Sequence, residues 1–246
     1  MLTIDLNCDM GEGMSNDAAL MQFISSANIA CGFHAGDEDT MKRTVELALH
    51  HDVAIGAHPG FADKENFGRR EMKLSEDEVR NLISEQIFAL KKITDSFQTS
   101  IHHVKPHGAL YNMAAREKSL AHTIAGAVKD LDANFILYGL SGSHSISEAK
   151  SIGLKTAGEV FADRTYQNDG SLTPRSRTNA LIEDETKCVQ QVLQMVKSNS
   201  VTCVNNIIIP IVAETICIHG DGKHSVAFAK IIHQSLKENH VEIKSV

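Results

Sequence analysis

Seven short apolar or β-branched runs alternate along the chain with longer stretches of helical period: LTIDLN (2–7), SANIAC (26–31), VAIGA (53–57), SIHHVK (100–105), NFILYG (134–139), KTAGEVF (155–161) and TICIHG (215–220). Strands alternating with helices indicate βα units and a parallel sheet. Between the third and fourth runs Val79, Leu82, Ile83, Ile87 and Leu90 recur at three- and four-residue steps, and Ser75 with Glu78 spells a capping box ahead of them. A second helix is predicted after Asp37, whose short carboxylate suits an N-cap. It runs through Val45 and Leu49 to His50 and His51, cations at the negative end of the dipole. Two more carry Val189, Val192 and Val196, and Val226, Ala229, Ile232 and Leu236. VTCVNNIIIPIVAE (201–214) reads instead as a small β excursion, because Asn205 and Asn206 suit a turn and Pro210 cannot donate within a central ladder. With no repeat and no linker, one domain over 1–246 is expected. A closed barrel of seven or eight βα units fits it better than an open doubly wound sheet.

Composition narrows the partners. The 246 residues match the length of a single α/β barrel, and 42% hydrophobic with 22% charged residues is an ordinary globular balance. The net charge is −7 and the Lys and Arg residues are scattered, which speaks against a nucleic-acid partner. The first residues, MLTIDLNCDMGEG, carry acids where a signal peptide needs a basic start, and no apolar run of roughly 18 residues occurs, so a cytoplasmic protein without membrane association is expected. Cys8, Cys31, Cys188, Cys203 and Cys217 show no Cys-x-x-Cys spacing and read as small buried residues rather than disulfide or thiolate-zinc partners.

The chemistry gathers where the runs end. NCDMGEG, CGFHAGD, AHPG, KPHGALYN, FADR and HGD follow six of the seven runs, and in a parallel α/β fold those ends share one mouth. His34, His58, His107 and His219 each follow a run beside Gly or Pro, where the backbone can turn sharply toward a ligand. Of His102 and His103, strand alternation turns one inward and the other outward. His103 and His107 have the H-x-x-x-H spacing of a helical zinc site, but Pro106 between them rules out continuous helix. A looser metal site from Asp9, His34 and His58 stays open. GDGKHS (220–225) is not a phosphate loop, GLSGS (139–143) is not a serine-hydrolase elbow, and GEG (11–13) lacks the third dinucleotide glycine. What remains is a mouth of carboxylates (Asp9, Glu12, Glu159, Asp163), imidazoles, Lys105, and the arginines Arg69, Arg70 and Arg164. That mixture suits hydrolysis: a carboxylate to take a proton from water, a cation for the oxyanion, and an imidazole to protonate a leaving nitrogen.

DLNCDMGEG, ANIACGFHAGD, VAIGAHPG with FGRR, HVKPHGALYN, EVFADRTY and ETICIHGD, in this order, resemble the LamB/YcsF family from about Asp5 to Asp221. The resemblance implies a distorted seven-stranded β/α barrel similar to the glycoside hydrolase and deacetylase superfamily. It implies a 5-oxoprolinase activity, the lactam of 5-oxoproline (pyroglutamate) being opened to L-glutamate at the expense of ATP, in a complex with subunits B and C. ATP, with Mg accompanying it, would be held by this chain or through those partners. Self-association is left open. On this basis Asp9 or Glu159 is expected as the base, Lys105 as oxyanion or phosphate stabiliser, and His107 as proton donor to the ring nitrogen. Arg70 or Arg164 is expected as the clamp on the substrate carboxylate, and Asn7, His34, His58, Asp163 and His219 complete the substrate-binding set. The alternatives are a metal-dependent deacetylase acting on a carbohydrate-like amide and a non-catalytic, substrate-presenting subunit. Asn179 stands where the family leads one to expect glycine, a change that asparagine tolerates if positive φ is needed.

Overall fold

A computed structural model describes residues 2–218, 220 and 225–246. Its strands are β1 (Leu2–Met10), β2 (Ser26–Ala30), β3 (Ala54–His58), β4 (His103–Val104), β5 (Ile136–Leu140), β6 (Lys155–Phe161), β7 (Ser200–Thr202), β8 (Ile208–Pro210), β9 (Thr215–Ile218) and β10 (Val241–Ile243). Its helices are α1 (Asp17–Leu20), α2 (Glu38–His50), α3 (Glu76–Ser96), α4 (Gly108–Arg116), α5 (Lys118–Leu131), α6 (His144–Ser151), α7 (Glu185–Ser198) and α8 (Ser225–Glu238).

Among the described residues seven parallel strands close in the order β1-β2-β3-β4-β5-β6-β9 and back to β1. The closing register sets Asp5 to Cys8 beside Thr215 to Ile218, and Glu159 beside Thr215 on the other flank. Each of the seven runs contributes one barrel strand, so closure and strand number agree with the expected fold. β10 adds outside the ring along the first residues of β1, Leu2 beside Val241. The excursion at 201–214 is an antiparallel hairpin of β7 and β8, with Asn206 at φ 64° in its turn and Pro210 at the end of the ladder. The capping box at Ser75 forms, and the Asp37 side chain accepts from the Thr40 backbone N–H. Asn179 is not among the described residues at positive φ.

Alternation along the strands sorts polar from apolar in an unusual sense. On β1, Ile4, Leu6, Cys8 and Met10 join the apolar layer between strands and helices. Asp5, Asn7 and Asp9 turn into the barrel, where Ser26, Asn28, His103, Glu159 and Thr215 meet them. The main hydrophobic core therefore lies outside the barrel, and much of the bore is a hydrogen-bonded polar column. A small interior apolar cluster of Ile136, Tyr138 and Ala157 accompanies it. Run 100–105 shrinks to two strand residues, but the ladder continues on each side through His102 N–H to Ile55 O (2.7 Å) and Lys105 N–H to Ala57 O (2.9 Å). Among the described residues no helix is long and apolar enough to cross a membrane.

Candidate active site

Lys105 follows β4 and is 2% exposed, with its ammonium at the centre of the polar column. Its Nζ lies 2.8 Å from Glu159 Oε1 and 2.9 Å from Asp9 Oδ1, and it donates to Asn7 Oδ1 at 3.2 Å and Cys217 Sγ at 3.2 Å. Burial opposes the charge, yet Asp9, Cys217 and Glu159 override it and hold the lysine pKa well above its ordinary value. Asp9 is the mirror case: burial would raise its pKa, but His58 and Lys105 keep it well below the carboxylate range. An ionised carboxylate and a protonated amine thus stand in contact, with no proton moving between them at neutral pH.

Asn7 and Asn28 wire this pair to the rest of the column. Asn28 Nδ2 donates to Asn7 Oδ1 and Asp9 Oδ1, both at 2.8 Å, while its Oδ1 accepts from His103 Nε2 at 2.8 Å. Asn7 Nδ2 donates to Glu159 Oε1 (2.9 Å) and Thr215 Oγ1 (2.6 Å), and the Thr215 hydroxyl donates in turn to Asp5 Oδ2 (2.6 Å). His103 is thus the inward member of its histidine pair, a core residue stacked on Tyr138 at 4.1 Å.

A second constellation lies beside the first. Glu12 Oε1 is 3.2 Å from His34 Nε2 and 3.2 Å from His107 Nδ1, and His58 Nε2 is 2.9 Å from His107 Nδ1 and 3.4 Å from Asp9 Oδ2. Burial works against the Glu12 charge, but the imidazoles of His107 and His34 set against its carboxylate pull its pKa down to about 2. Burial lowers His34 to about 4, so it is neutral. His58 is shifted upward: burial would lower it, and the Asp9 carboxylate outweighs that. One ligating atom from each of Glu12, His34, His58 and His107 falls within 4.8 Å of the others, a gathering of imidazoles and a carboxylate, the donor types that divalent transition metals take.

Both constellations open onto a cavity of about 1310 Å³. Of the expected residues, Asp9, His58, Lys105, His107 and Arg164 line it. Asn7, His34 and Glu159 sit one layer behind, fully buried and engaged with the lining residues, so they position rather than touch whatever fills the cavity. Arg70 is a correction: its side chain is 67% exposed, reaches toward Asp63 at 3.7 Å, and lies outside the cavity, whereas Arg69 lines it. Asp163 is also absent from the lining; its carbonyl accepts from Ile182 N–H and anchors the following loop. His219 lies outside the described residues. Arg164 is buried, donates to the carbonyls of Thr173 and Ala180, and is lowered by burial and by neighbouring Arg175 to about 10.

Three contributors carry no assigned role in the sequence reading. Glu12 is there one mouth carboxylate among several, although its place two residues past β1 is the available signal. Asn28 is detectable by period-two alternation, since it shares with Ser26 the polar face of β2. Tyr111, on the first turn of α4, lines the cavity and sets its buried hydroxyl beside Glu159. Burial and then the Glu159 charge raise its pKa well above that of tyrosine, so it is a neutral donor.

Comparison with known proteins agrees with this architecture. Residues 4–246 match the family described as LamB/YcsF family. The chain is 51% identical over 251 residues to the 5-oxoprolinase A subunit of Tolumonas auensis, with 100% of each chain covered. The crystal structure of the lactam utilization protein from Thermus thermophilus superposes with a TM-score of 0.94 at 38% identity, covering 100% of both chains. A peptidoglycan deacetylase from Bacillus subtilis aligns with a TM-score of 0.53 at 13% identity, covering 100% of this chain and 88% of the other, a likeness of fold alone.

Proposed function

The chain belongs to the LamB/YcsF family, and from that premise we propose that it is a lactam hydrolase that opens 5-oxoproline to L-glutamate, coupled to ATP hydrolysis, within a complex containing subunits B and C. The observation that carries this reading is Lys105 fixed between Asp9 and Glu159 at the buried end of the cavity. Full-length relatives bearing the name of a 5-oxoprolinase support the substrate class, and the letter in that name implies further subunits.

The residues divide the work by their charge states. Opening the ring requires water oxygen to bond to the lactam carbonyl carbon, the C–N bond to break, and the ring nitrogen to gain a proton. Asp9, ionised and lining the cavity, accepts the proton from water. Lys105 stays protonated and places positive charge where the carbonyl oxygen, or a phosphoryl group on it, becomes negative. Glu159 balances Lys105 from behind. Because Glu159 is 0% exposed and outside the lining, Asp9 is the better candidate of the two for the base. His107 donates its Nε2–H to Phe67 O at 2.9 Å and turns Nδ1 to Glu12 and His58, so Tyr111 is better placed than His107 to donate toward the substrate. Arg164, with Arg175 beside it in the lining, supplies the cationic wall for a substrate carboxylate.

ATP enters through chemistry and volume. An amide is a weak electrophile; transfer of the γ-phosphoryl group of ATP to its oxygen, with ADP leaving, opens the carbon to water, and phosphate departs as the carboxylate forms. The cavity also exceeds the roughly 300–1,000 Å³ of pockets that enclose a drug-sized ligand, so a small lactam leaves room for a nucleotide or for a partner's chain.

The test is to assemble the chain with its B and C subunits and follow L-glutamate released from 5-oxoproline with and without ATP. Turnover is expected only with ATP and all three chains. Lys105→Ala, shown by circular dichroism to be folded, is expected to lower it by at least about 100-fold, the range for loss of an oxyanion partner. Full turnover by that variant would remove the role given to Lys105.

A further inference from the structure

We propose that Glu12 Oε1, His58 Nε2 and His107 Nδ1 form the three-ligand set of a transition-metal site, suited to zinc, whose fourth position faces the cavity. The site deepens the lactam-opening reading, and only its catalytic use rests on that reading.

Two backbone carbonyls fix which ring nitrogens are bare. A carbonyl can only accept, so His58 Nδ1, 2.7 Å from Lys105 O, carries a proton, and His107 Nε2, 2.9 Å from Phe67 O, carries another. In each neutral ring the opposite nitrogen then has the lone pair, and these two nitrogens face one another at 2.9 Å. Two lone pairs cannot approach so closely without a proton or a cation between them. Ligating histidines are held in this way, with the second N–H given to a carbonyl or carboxylate.

Distances and ring planes select the set. A tetrahedral zinc with ligands at about 2.0–2.1 Å has ligand–ligand edges of roughly 3.4 Å. The three edges here are 2.9 Å between His58 and His107, 3.2 Å between His107 and Glu12, and 3.8 Å between His58 and Glu12, which bracket it. The His58 and His107 rings cross at 87°, so one point can lie in both planes. His34 does not fit as a fourth ligand: its ring is stacked on His107 at 3.8 Å and 5°, and an ion in the plane of one ring lies above or below the other. Its Nε2 instead donates to Glu12 Oε1 at 3.2 Å, orienting the carboxylate. The cavity lining follows the same division, with Glu12, His58 and His107 in it and His34 behind. Three protein ligands and one open position are the arrangement of a catalytic rather than a structural zinc. Two imidazoles and one carboxylate also disfavour magnesium and calcium, which seek oxygen. When bound, such an ion would polarise a carbonyl or acidify a water molecule, beside Asp9, which stands 3.4 Å from His58.

The experiment uses the full chain, stripped with chelator and titrated with zinc chloride by calorimetry, with metal content measured after gel filtration. One equivalent of zinc is expected, with no comparable binding of magnesium. Cobalt(II) should give the visible bands of a four-coordinate site without a thiolate charge-transfer band, since the five cysteines are not in the ligand set. Glu12→Gln, nearly isosteric, should weaken zinc binding at least 100-fold while the metal-free melting curve stays cooperative. His58→Gln should do the same and serves if Glu12→Gln fails to fold. Absence of stoichiometric zinc and cobalt binding, or binding unaltered in both folded variants, overturns the site and leaves the lactam reading untouched. Stoichiometric zinc in a complex that never releases glutamate from 5-oxoproline supports the site and defeats the lactam reading.

Discussion

At the scale of single residues, the Lys105 cluster puts two carboxylates and one ammonium at the buried end of the cavity, and that imbalance can be measured. Removing one partner from a buried ion pair costs about 3–5 kcal/mol, because the remaining charge loses its compensation. Lys105→Met is therefore expected to lose about that much stability in urea denaturation, and Lys105→Met with Glu159→Gln should recover at least ~1 kcal/mol relative to the single variant. If the double variant is less stable than the sum of the singles, Glu159 is not held by Lys105 in the way the 2.8 Å contact implies. Gly56 gives a steric counterpart. A Cβ built there would sit 2.1 Å from His103 Nε2, so Gly56→Ala must displace the imidazole and is expected to cost about 1–3 kcal/mol. His103→Ala in the same background should relieve the clash. Much of the site is readable at this scale. Asp9, His58, Lys105 and His107 all follow from the rule that function gathers after strands, and the structure brings them together. That rule cannot rank Arg69 against Arg70, since both follow the same glycine and only the fold of the loop decides which enters the cavity. Nor can it separate residues that line the cavity from those behind it, as Asn7 and Glu159 show, because depth along the bore depends on register between strands far apart in the chain.

At the scale of elements, helices announced by a cap or a wide apolar stripe are legible in the sequence, and shorter or alanine-faced ones are not. α3 and α2 carry both signals, and their caps have the bonds the sequence suggests. Ser75→Ala and Asp37→Ala should each cost about 1 kcal/mol, within the usual 0.5–2 kcal/mol of N-cap loss. Denaturant midpoints would check them, and an unchanged midpoint for Ser75→Ala would mean that the capping box adds nothing to global stability. α5 escapes such a reading because its buried face is largely Ala121, Ala125 and Ala127, with Ile124 and Val128 as its bulky members. α4 is hidden inside HVKPHGALYN, whose polar residues read as the end of a strand; yet His107 is its N-cap and Gly108, at φ 54°, makes the turn into it. That turn brings Tyr111 to the cavity. The same Pro106 that excludes a helical zinc motif ends β4 and releases His107 to point across the barrel rather than along it.

At the scale of the whole molecule, the polar bore makes stability depend on pH in a way an apolar barrel would not. His103 is central to it, 0% exposed, with a pKa held well below the ordinary histidine value first by burial and then by the charges of His102 and Lys105. Its sign follows from linkage. The unfolded chain binds a proton on this ring as pH falls through about 6.5, while the folded chain refuses it until the pKa of the buried ring is reached. Stability is thus fully present above about pH 6.5 and is lost progressively as pH falls from there toward the pKa of the buried ring. Between pH 6.5 and 5 the unfolded carboxylates, near 4, are still ionised and add little to the slope. His34 acts in the same direction, since its folded value is about 4, whereas His58, raised in the fold, acts in the opposite one. The wild-type slope is therefore a composite, and the informative quantity is a difference. His103→Gln, whose amide can still donate to Asn28 Oδ1, carries no titrating ring. Its stability relative to wild type should improve by up to about 1.4 kcal/mol for each pH unit below 6.5, the limit for one proton. Urea denaturation of both proteins at pH 7.5, 6 and 5 would measure it. Parallel curves across that range would mean that His103 takes a proton inside the folded barrel. The polar column would then relax around a charged ring instead of excluding it.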